Sequence, residues 1–324
     1  MSPMADRNGT GTLEPKPRRP GPRTGTSIAE FEATFPDDTA CEQHLLVVRY
    51  GHLTRCPWCG LNTSWWKHPK RSYYVCTRCR RLLQLKSQTM FHKTQLSLKT
   101  LFYGVLLSAN LTATPPNLAL QRHLGMSNSA AIAFGRRLRA HLTALENQRR
   151  IGGNGGDVHV EIFYFKGLYS VKSKGKKRVP VVVLSDGFES TVSVLDTTRP
   201  ARIFEVLRKR VLLGCQITAN DPGLFEKLSR YRQNWFSVVD MSRQDALFIE
   251  SYQYETKAFI VNAVTAIRNT YRRVSIEWLD QYLGEQIFRF NHRGSSVFNH
   301  MIAKFPRLDA NILMSRNRVK AEHD

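Results

Sequence analysis

Four cysteines raise the first chemical question. They form two Cys-x-x-Cys pairs, Cys56/Cys59 and Cys76/Cys79, separated by 16 residues, with Pro57 and Gly60 in the first turn. Two tight turns that each present two soft thiolates supply the ligand set of a tetrahedral zinc ion. The alternatives are two disulfides or four unconnected core thiols. Cys41 and Cys215 stand alone, an arrangement that suits a reducing compartment and a metal rather than bridges. His52, His68 and His92 are nearby, but four thiolates already close a structural site, so these histidines read as surface residues. A unit this small has almost no core, so the metal is expected to carry its folding.

Glu161 is the second candidate. The stretch "GDVHVEIFYFKG" alternates as a strand does and follows a glycine-rich break, and Glu161 is its inward-pointing acid, a residue type that can ligate a metal. Asp157 and Asp186 are further acids in this region and read as strand-end or turn residues.

A third group is cationic. Arg55, Lys67, Lys70, Arg71, Arg78, Arg80 and Arg81 alternate with Trp58, Trp65, Trp66, Tyr73 and Tyr74 around the cysteines. Cations on phosphates beside aromatic platforms make a nucleic-acid surface; equally, the aromatics pack the cysteine unit and the charges are merely solvated. Further on, "PNLALQRHLGMSNSAAIAFGRRLRAHL" has helix-turn-helix proportions. Ser127, Asn128 and Ser129 open its second helix, and Arg136, Arg137 and Arg139 lie along it, a pattern able to read bases and phosphates. An ordinary helical hairpin with a basic face is the competing reading.

These groups need elements to hold them. Residues 1–27 are rich in Pro, Gly, Ser, Thr and Arg and read as a disordered basic tail. Residues 28–95 are expected to hold an N-terminal helix, capped by Asp37 or Asp38 with Cys41, Leu45, Leu46 and Val48 largely on one face, and the zinc ribbon. Residues 96–150 form the helical, helix-turn-helix-like DNA-binding region, and "RRIGGNGG" is a linker. Over 151–305 three sequential strands precede alternating helix and strand, the pattern of a mixed-sheet α/β domain. Residues 306–324 read as a basic C-terminal tail.

Composition points the same way. The chain of 324 residues carries 48 Lys+Arg against 26 Asp+Glu, a net charge of +22, and such an excess implies a polyanionic partner, usually nucleic acid; with a helix-turn-helix following a zinc ribbon, double-stranded DNA is the expected one. There is no long apolar run, no basic amphipathic anchor and no signal-peptide core, so a membrane partner and secretion are not expected. An intracellular, DNA-associated location follows: cytoplasm and nucleoid, or nucleus in a eukaryote.

From Phe31 onward the chain resembles a known family. "FPDDTAC", "CPWCG", "YYVCTRC", "TMFHKTQLSLKTLF", "LALQRHLGMSNSAA" and above all "AIRNTYRRVSIEWLDQYLGEQIFRFNHR" look like DDE transposases of bacterial insertion sequences related to the Merlin transposons. The resemblance implies a multidomain α/β fold: a zinc ribbon and helix-turn-helix followed by an RNase H-like mixed-sheet domain. It implies DNA transposition, action as a homo-oligomer, and three carboxylates holding two Mg²⁺ ions about 4 Å apart for DNA cleavage and joining. In this sequence the three aligned positions read Glu161, Asn220 and Lys257. Ile162 and Phe163 replace the polar residues that follow the first acid, while Tyr164 and Gly167 match. A set shifted in register would be Glu161, Asp221 and Glu255. The leading expectation is therefore a transposase-derived DNA-binding protein, catalytically impaired, with structural Zn²⁺ and with Mg²⁺ only if the site is intact. An active transposase using the shifted acids is the first alternative. A domesticated regulatory or protein-interaction module, its sheet presenting Ile162, Phe163 and Phe165, is the second.

Overall fold

The computed structural model describes residues 25–69, 73–153, 156–168, 177–219, 223, 224, 226, 228, 237–240, 246–271 and 274–313. The expected tail to residue 24, and Lys70, Arg71, Asn220 and Asp221, lie outside the described residues.

The N-terminal part is helical with one small sheet. Helices α1 (Ile28–Thr34) and α2 (Asp38–Tyr50) lead into strands β1 (Trp65–Lys67), β2 (Tyr73–Cys76) and β3 (Leu82–Gln84), then α3 (Leu98–Ala109), α4 (Asn117–Leu124) and α5 (Asn128–Glu146). Side-chain caps set the helix starts, because the first N–H groups of a helix have no partner within it. Ser27 and Glu30 form a reciprocal capping box, the Asp37 carboxylate accepts from Ala40 N at 2.8 Å, and Ser127 accepts from Ala130 N at 3.3 Å. The strands pair antiparallel in the order β1-β2-β3. Leu83 and Leu85 plug this sheet into the helical core beside Cys41, Leu45, Phe91 and Phe102. Trp65 Nε1 donates to Leu53 O at 2.9 Å on the same side.

Strands β4 (Asp157–Leu168), β5 (Lys177–Ser185) and β6 (Ser190–Val194) follow, then α6 (Pro200–Arg210), β7 (Gln216–Ala219), β8 (Ser237–Asp240) and α7 (Ala246–Thr270). The sheet order is β6-β5-β4-β7-β8, with β5 antiparallel to both β4 and β6, and β7 and β8 parallel to β4. The three sequential strands and the α/β alternation were legible as such, and the sheet is mixed as expected. Two-residue alternation divides β4 between two cores. Val158 and Val160 pack with Ile203, Phe204 and Leu207 of α6 on one face. Phe165 packs on the other with Phe259, Ala263 and Ile267 of α7, spaced four residues apart on one helical stripe.

The chain then returns to its beginning. After a 3-10 turn, Ile276–Trp278, helix α8 (Leu279–Asn291) runs between the sheet and α5. Its Leu279, Leu283, Ile287 and Phe290 join the sheet's second core, while Phe288 enters the helical core. Gly284 permits the close crossing: a β-carbon there would lie 2.7 Å from Thr143 Cβ, far inside van der Waals contact. Phe298, Met301 and Ile302 of α9 (Val297–Ile302), then Phe305 and Leu308, complete the helical core before α10 (Ala310–Leu313). The helical core thus crosses the boundaries expected at 150 and 305, and Leu308, with the half-buried Ile312 and Leu313, packs into it. Periodicity reports that a helix is amphipathic; it does not report which core the helix faces.

Candidate functional site

The four cysteines converge. Their sulfurs all lie within 4.8 Å of one another, and Cys56 Sγ and Cys79 Sγ are 3.7 Å apart. Zinc–sulfur bonds of ~2.3 Å in a tetrahedron put ligand sulfurs ~3.8 Å apart, so the spacing fits a metal such as zinc. The two turns are built alike. Gly60 N donates to Cys56 O at 2.9 Å and Arg80 N to Cys76 O at 2.9 Å, each from a residue at positive φ. Cys56 N and Cys76 N in turn donate to Leu61 O and Arg81 O at 3.0 and 3.1 Å.

The electrostatics of the cluster ask for a cation. Burial opposes ionisation of Cys76, yet the Thr63 hydroxyl and the N–H groups of Cys79 and Arg78 outweigh it and hold the thiol down to about 6. Cys79 moves the other way: the Arg81 N–H lowers it, but burial and the sulfurs of Cys76, Cys56 and Cys59 push it up to about 11. Crowded sulfurs cannot all ionise by themselves, and a divalent ion would let them. Among the described residues this is the only group of three or more His, Cys, Asp or Glu side chains close enough to share a metal ion.

Around the cluster Arg55, Arg78, Arg80 and Arg81 are exposed, and so are Trp58 (41%) and Trp66 (52%). Lys67 is also exposed but pairs with Glu42 at 2.5 Å, and Arg55 Nε donates to Asn62 at 3.2 Å. Trp65, Tyr73 and Tyr74 are half-buried, so the aromatics divide between packing and display. Gly125, in the left-handed conformation, separates α4 from α5, and Ser127, Asn128 and Ser129 are exposed at the start of α5.

The arginines of α5 do not form the expected outward row. Arg137 is buried and donates to His92 O; Arg139 is buried with its guanidinium 4.6 Å from the Tyr282 ring and 5.5 Å from that of Tyr271. Arg136 is half-buried, 5.0 Å from the Trp278 ring. This helix is central, covered by α8 as well as α4, so one sequence of cations could not face water along it.

The carboxylate centre is differently arranged. Glu161 is half-buried on β4 and its Oε2 accepts from the buried Thr256 hydroxyl of α7 at 2.9 Å. Glu255 is buried, and both its oxygens accept from Arg293 Nη2, at 2.9 and 2.8 Å. Arg293 is fixed in turn by donating to Phe290 O at 2.8 Å and lying 4.1 Å over the Phe290 ring. Lys257 is exposed, yet its charge reaches His159, which burial first and Lys257 second hold down to about 4. Successive helical residues diverge by ~100°, so 255 and 257 cannot both face what 256 faces. In the parallel β4–β7 pair, Ala219 lies opposite Val160, the residue before Glu161. Asn220 and Asp221 come next in the chain, outside the described residues.

Sequence reading missed Thr256 and Arg293. The first was available from the stripe 256, 259, 263, 267 on α7; the second needed the tertiary return of α8.

The apolar residues that follow Glu161 are covered by the chain itself. Ile162 packs on the α6 side, Phe163 on the α7 side, and Phe165 is buried there. Ile162 and Phe163 stay half-buried, so of the three apolar residues read as a partner surface only Phe165 is fully withdrawn from it. Among the described residues no helix is long and apolar enough to cross a membrane.

No family model matches the chain, and no curated protein matches it. Among solved structures, a chain from the crystal structure of a pre-cleavage Mos1 transpososome is similar over 58% of this chain and 73% of that one, at 14% identity and a TM-score of 0.23. A likeness of that size settles neither fold nor activity.

Proposed function

We propose that this chain is a transposase-derived, double-stranded-DNA-binding protein whose RNase H-like domain has lost strand cleavage and transfer. The residue resemblance and the net charge of +22 support the DNA partner. The β6-β5-β4-β7-β8 order, with the middle strand flanked by one antiparallel and one parallel neighbour, supports the RNase H-like reading. Cys56, Cys59, Cys76 and Cys79 would hold Zn²⁺ in a zinc ribbon, where the metal is structural. Arg55, Lys67, Lys70, Arg71, Arg78, Arg80, Arg81, Ser127, Asn128, Ser129 and the half-buried Arg136 are the proposed DNA contacts; Arg137 and Arg139 leave that set because they are buried. Homo-oligomers and an intracellular, DNA-associated location belong to the same reading.

The observation that carries the loss of catalysis is the Glu255–Arg293 pair. A carboxylate that accepts twice from a guanidinium is already neutralised, and the aligned neighbour Lys257 adds a positive charge where a divalent ion would need a negative one. An active enzyme using Glu161, Asp221 and Glu255 with Mg²⁺ is the second reading, favoured by the register that sets Ala219, just before Asn220 and Asp221 in the chain, opposite Val160, just before Glu161. Duplex binding followed by fluorescence anisotropy, and nicking or strand transfer with Mg²⁺ or Mn²⁺ on the element's own ends, decide between them. The proposal expects salt-sensitive binding without cleavage. Cleavage abolished by Asp221→Ala overturns it.

A further inference from the structure

A cavity of about 160 Å³ lies where α5, β6, α6 and α8 meet, away from both sites above. It is an order of magnitude larger than the ~10–15 Å³ one water needs, so it has room for a small organic molecule. Four consecutive residues, Thr191–Val194, line it, so it follows β6 along the edge that no described strand pairs. Such an edge carries unpaired backbone N–H and C=O groups.

Arg210, the last residue of α6, reaches this cavity and is 6% exposed. Its Nη1 donates to Glu146 O at 3.0 Å and its Nη2 to Asn147 Oδ1 at 2.8 Å, both neutral acceptors. Its Nε–H has no partner among the described residues, and neither does the buried Thr191 hydroxyl, which also lines the cavity. Burial disfavours this guanidinium's charge and the neighbouring Glu146 favours it. The Glu146 carboxylate, however, is already engaged by Arg149 at 2.7 and 3.2 Å and by Asn291 at 2.9 Å. A buried cation with an unused donor, beside an unused hydroxyl, asks for an anionic acceptor.

The rest of the wall restricts which anion. Val192, Leu283 and Ile287 give it one apolar side, and Glu146 with the exposed Asp280 penalises a second negative charge. We propose that this cavity binds a small monocarboxylate with a short apolar body, its carboxylate on Arg210 Nε and Thr191 Oγ1 and its body against Val192, Leu283 and Ile287. A phosphate dianion fits worse, because its second negative charge meets Glu146 and Asp280 and it has no apolar body for Val192, Leu283 and Ile287.

Isothermal titration of the full-length protein with acetate, butyrate, butyramide and inorganic phosphate at constant ionic strength tests the assignment. Butyrate should bind, about three- to fourfold tighter per methylene than acetate, as burial of each group provides. Butyramide and phosphate should not saturate. Arg210→Gln should abolish binding; the near-isosteric Thr191→Val, which removes only an unpartnered hydroxyl, should keep the fold and weaken binding severalfold. Asp280→Asn should tighten it, and Arg78→Ala, Arg80→Ala and Arg81→Ala combined should leave it unchanged. No butyrate saturation in the millimolar range, saturation by phosphate instead, or binding indifferent to Thr191→Val and Arg210→Gln overturns the proposal.

Discussion

The cysteine cluster and the carboxylate centre raise the same question, whether anionic ligands converge on a cation, and the chain answers it differently in the two places. In the first, two like-built turns within 24 residues bring four sulfurs to metal-ligand spacing. In the second, the ligand candidates come from β4, the end of β7 and α7, and each described one has found another partner: Glu161 takes Thr256, and Glu255 takes Arg293. Local sites are carried by a few contiguous residues. Sites assembled across a sheet depend on register and helical phase, which no short run of residues carries.

The largest effect that bears on this contrast is ligand removal. Cys59→Ser or Cys76→Ser should empty the cluster and unfold the small sheet, since a structural zinc contributes about 10–16 kcal/mol to such units. Metal content per chain by mass spectrometry, together with proteolysis between β1 and β3, reads this out. Glu161→Gln should leave the metal content unchanged. Equal metal loss in both variants would erase the distinction.

Next in size is Glu255→Gln. It leaves the mostly buried Arg293 without its counter-ion, and urea unfolding should show a loss of about 2–4 kcal/mol, somewhat below the usual range for a fully buried pair. Relief of carboxylate crowding, as expected in an empty metal site, would instead raise stability.

A pH series sharpens the picture further. His141, in the helical core with Met301 O 2.7 Å away, and His159, beneath the carboxylate centre, are each held down to about 4. The unfolded chain binds these protons near pH 6.5, so stability is intact above that value and falls between about pH 6.5 and 4. The urea midpoint should drop over that window, and Lys257→Gln should shrink the drop through His159 alone. An unchanged pH profile in Lys257→Gln would separate Lys257 from the centre.

The smallest effect is at the surface. Arg78→Ala, Arg80→Ala or Arg81→Ala should each weaken duplex binding a fewfold and reduce the slope of log K against log salt by about 0.9 per lost phosphate contact. Affinity that is flat between low and moderate salt would remove DNA as the partner.

How much was legible follows the same division. Cys56, Cys59, Cys76 and Cys79, the cap at Asp37, the turn before Ser127 and the strand sequence from β4 to β8 are local signals, and the fold places them as read. Arg137 and Arg139 were misread because a cation on a helix looks solvent-facing until the helices that cover it are known. The same holds for Phe298, Met301 and Leu308, whose core belongs to residues more than a hundred positions earlier. Arg293 was invisible for the strongest version of this reason: its partner, Glu255, lies 38 residues earlier on α7, and nothing in the spacing joins them.

Manganese binding measured by electron paramagnetic resonance reports directly whether the carboxylates hold a divalent ion, and it needs neither the DNA site nor the element's ends. With the cysteine cluster zinc-loaded, Mn²⁺ should stay free in solution and Glu161→Gln should change nothing. Stoichiometric Mn²⁺ uptake that disappears in Glu161→Gln would contradict it.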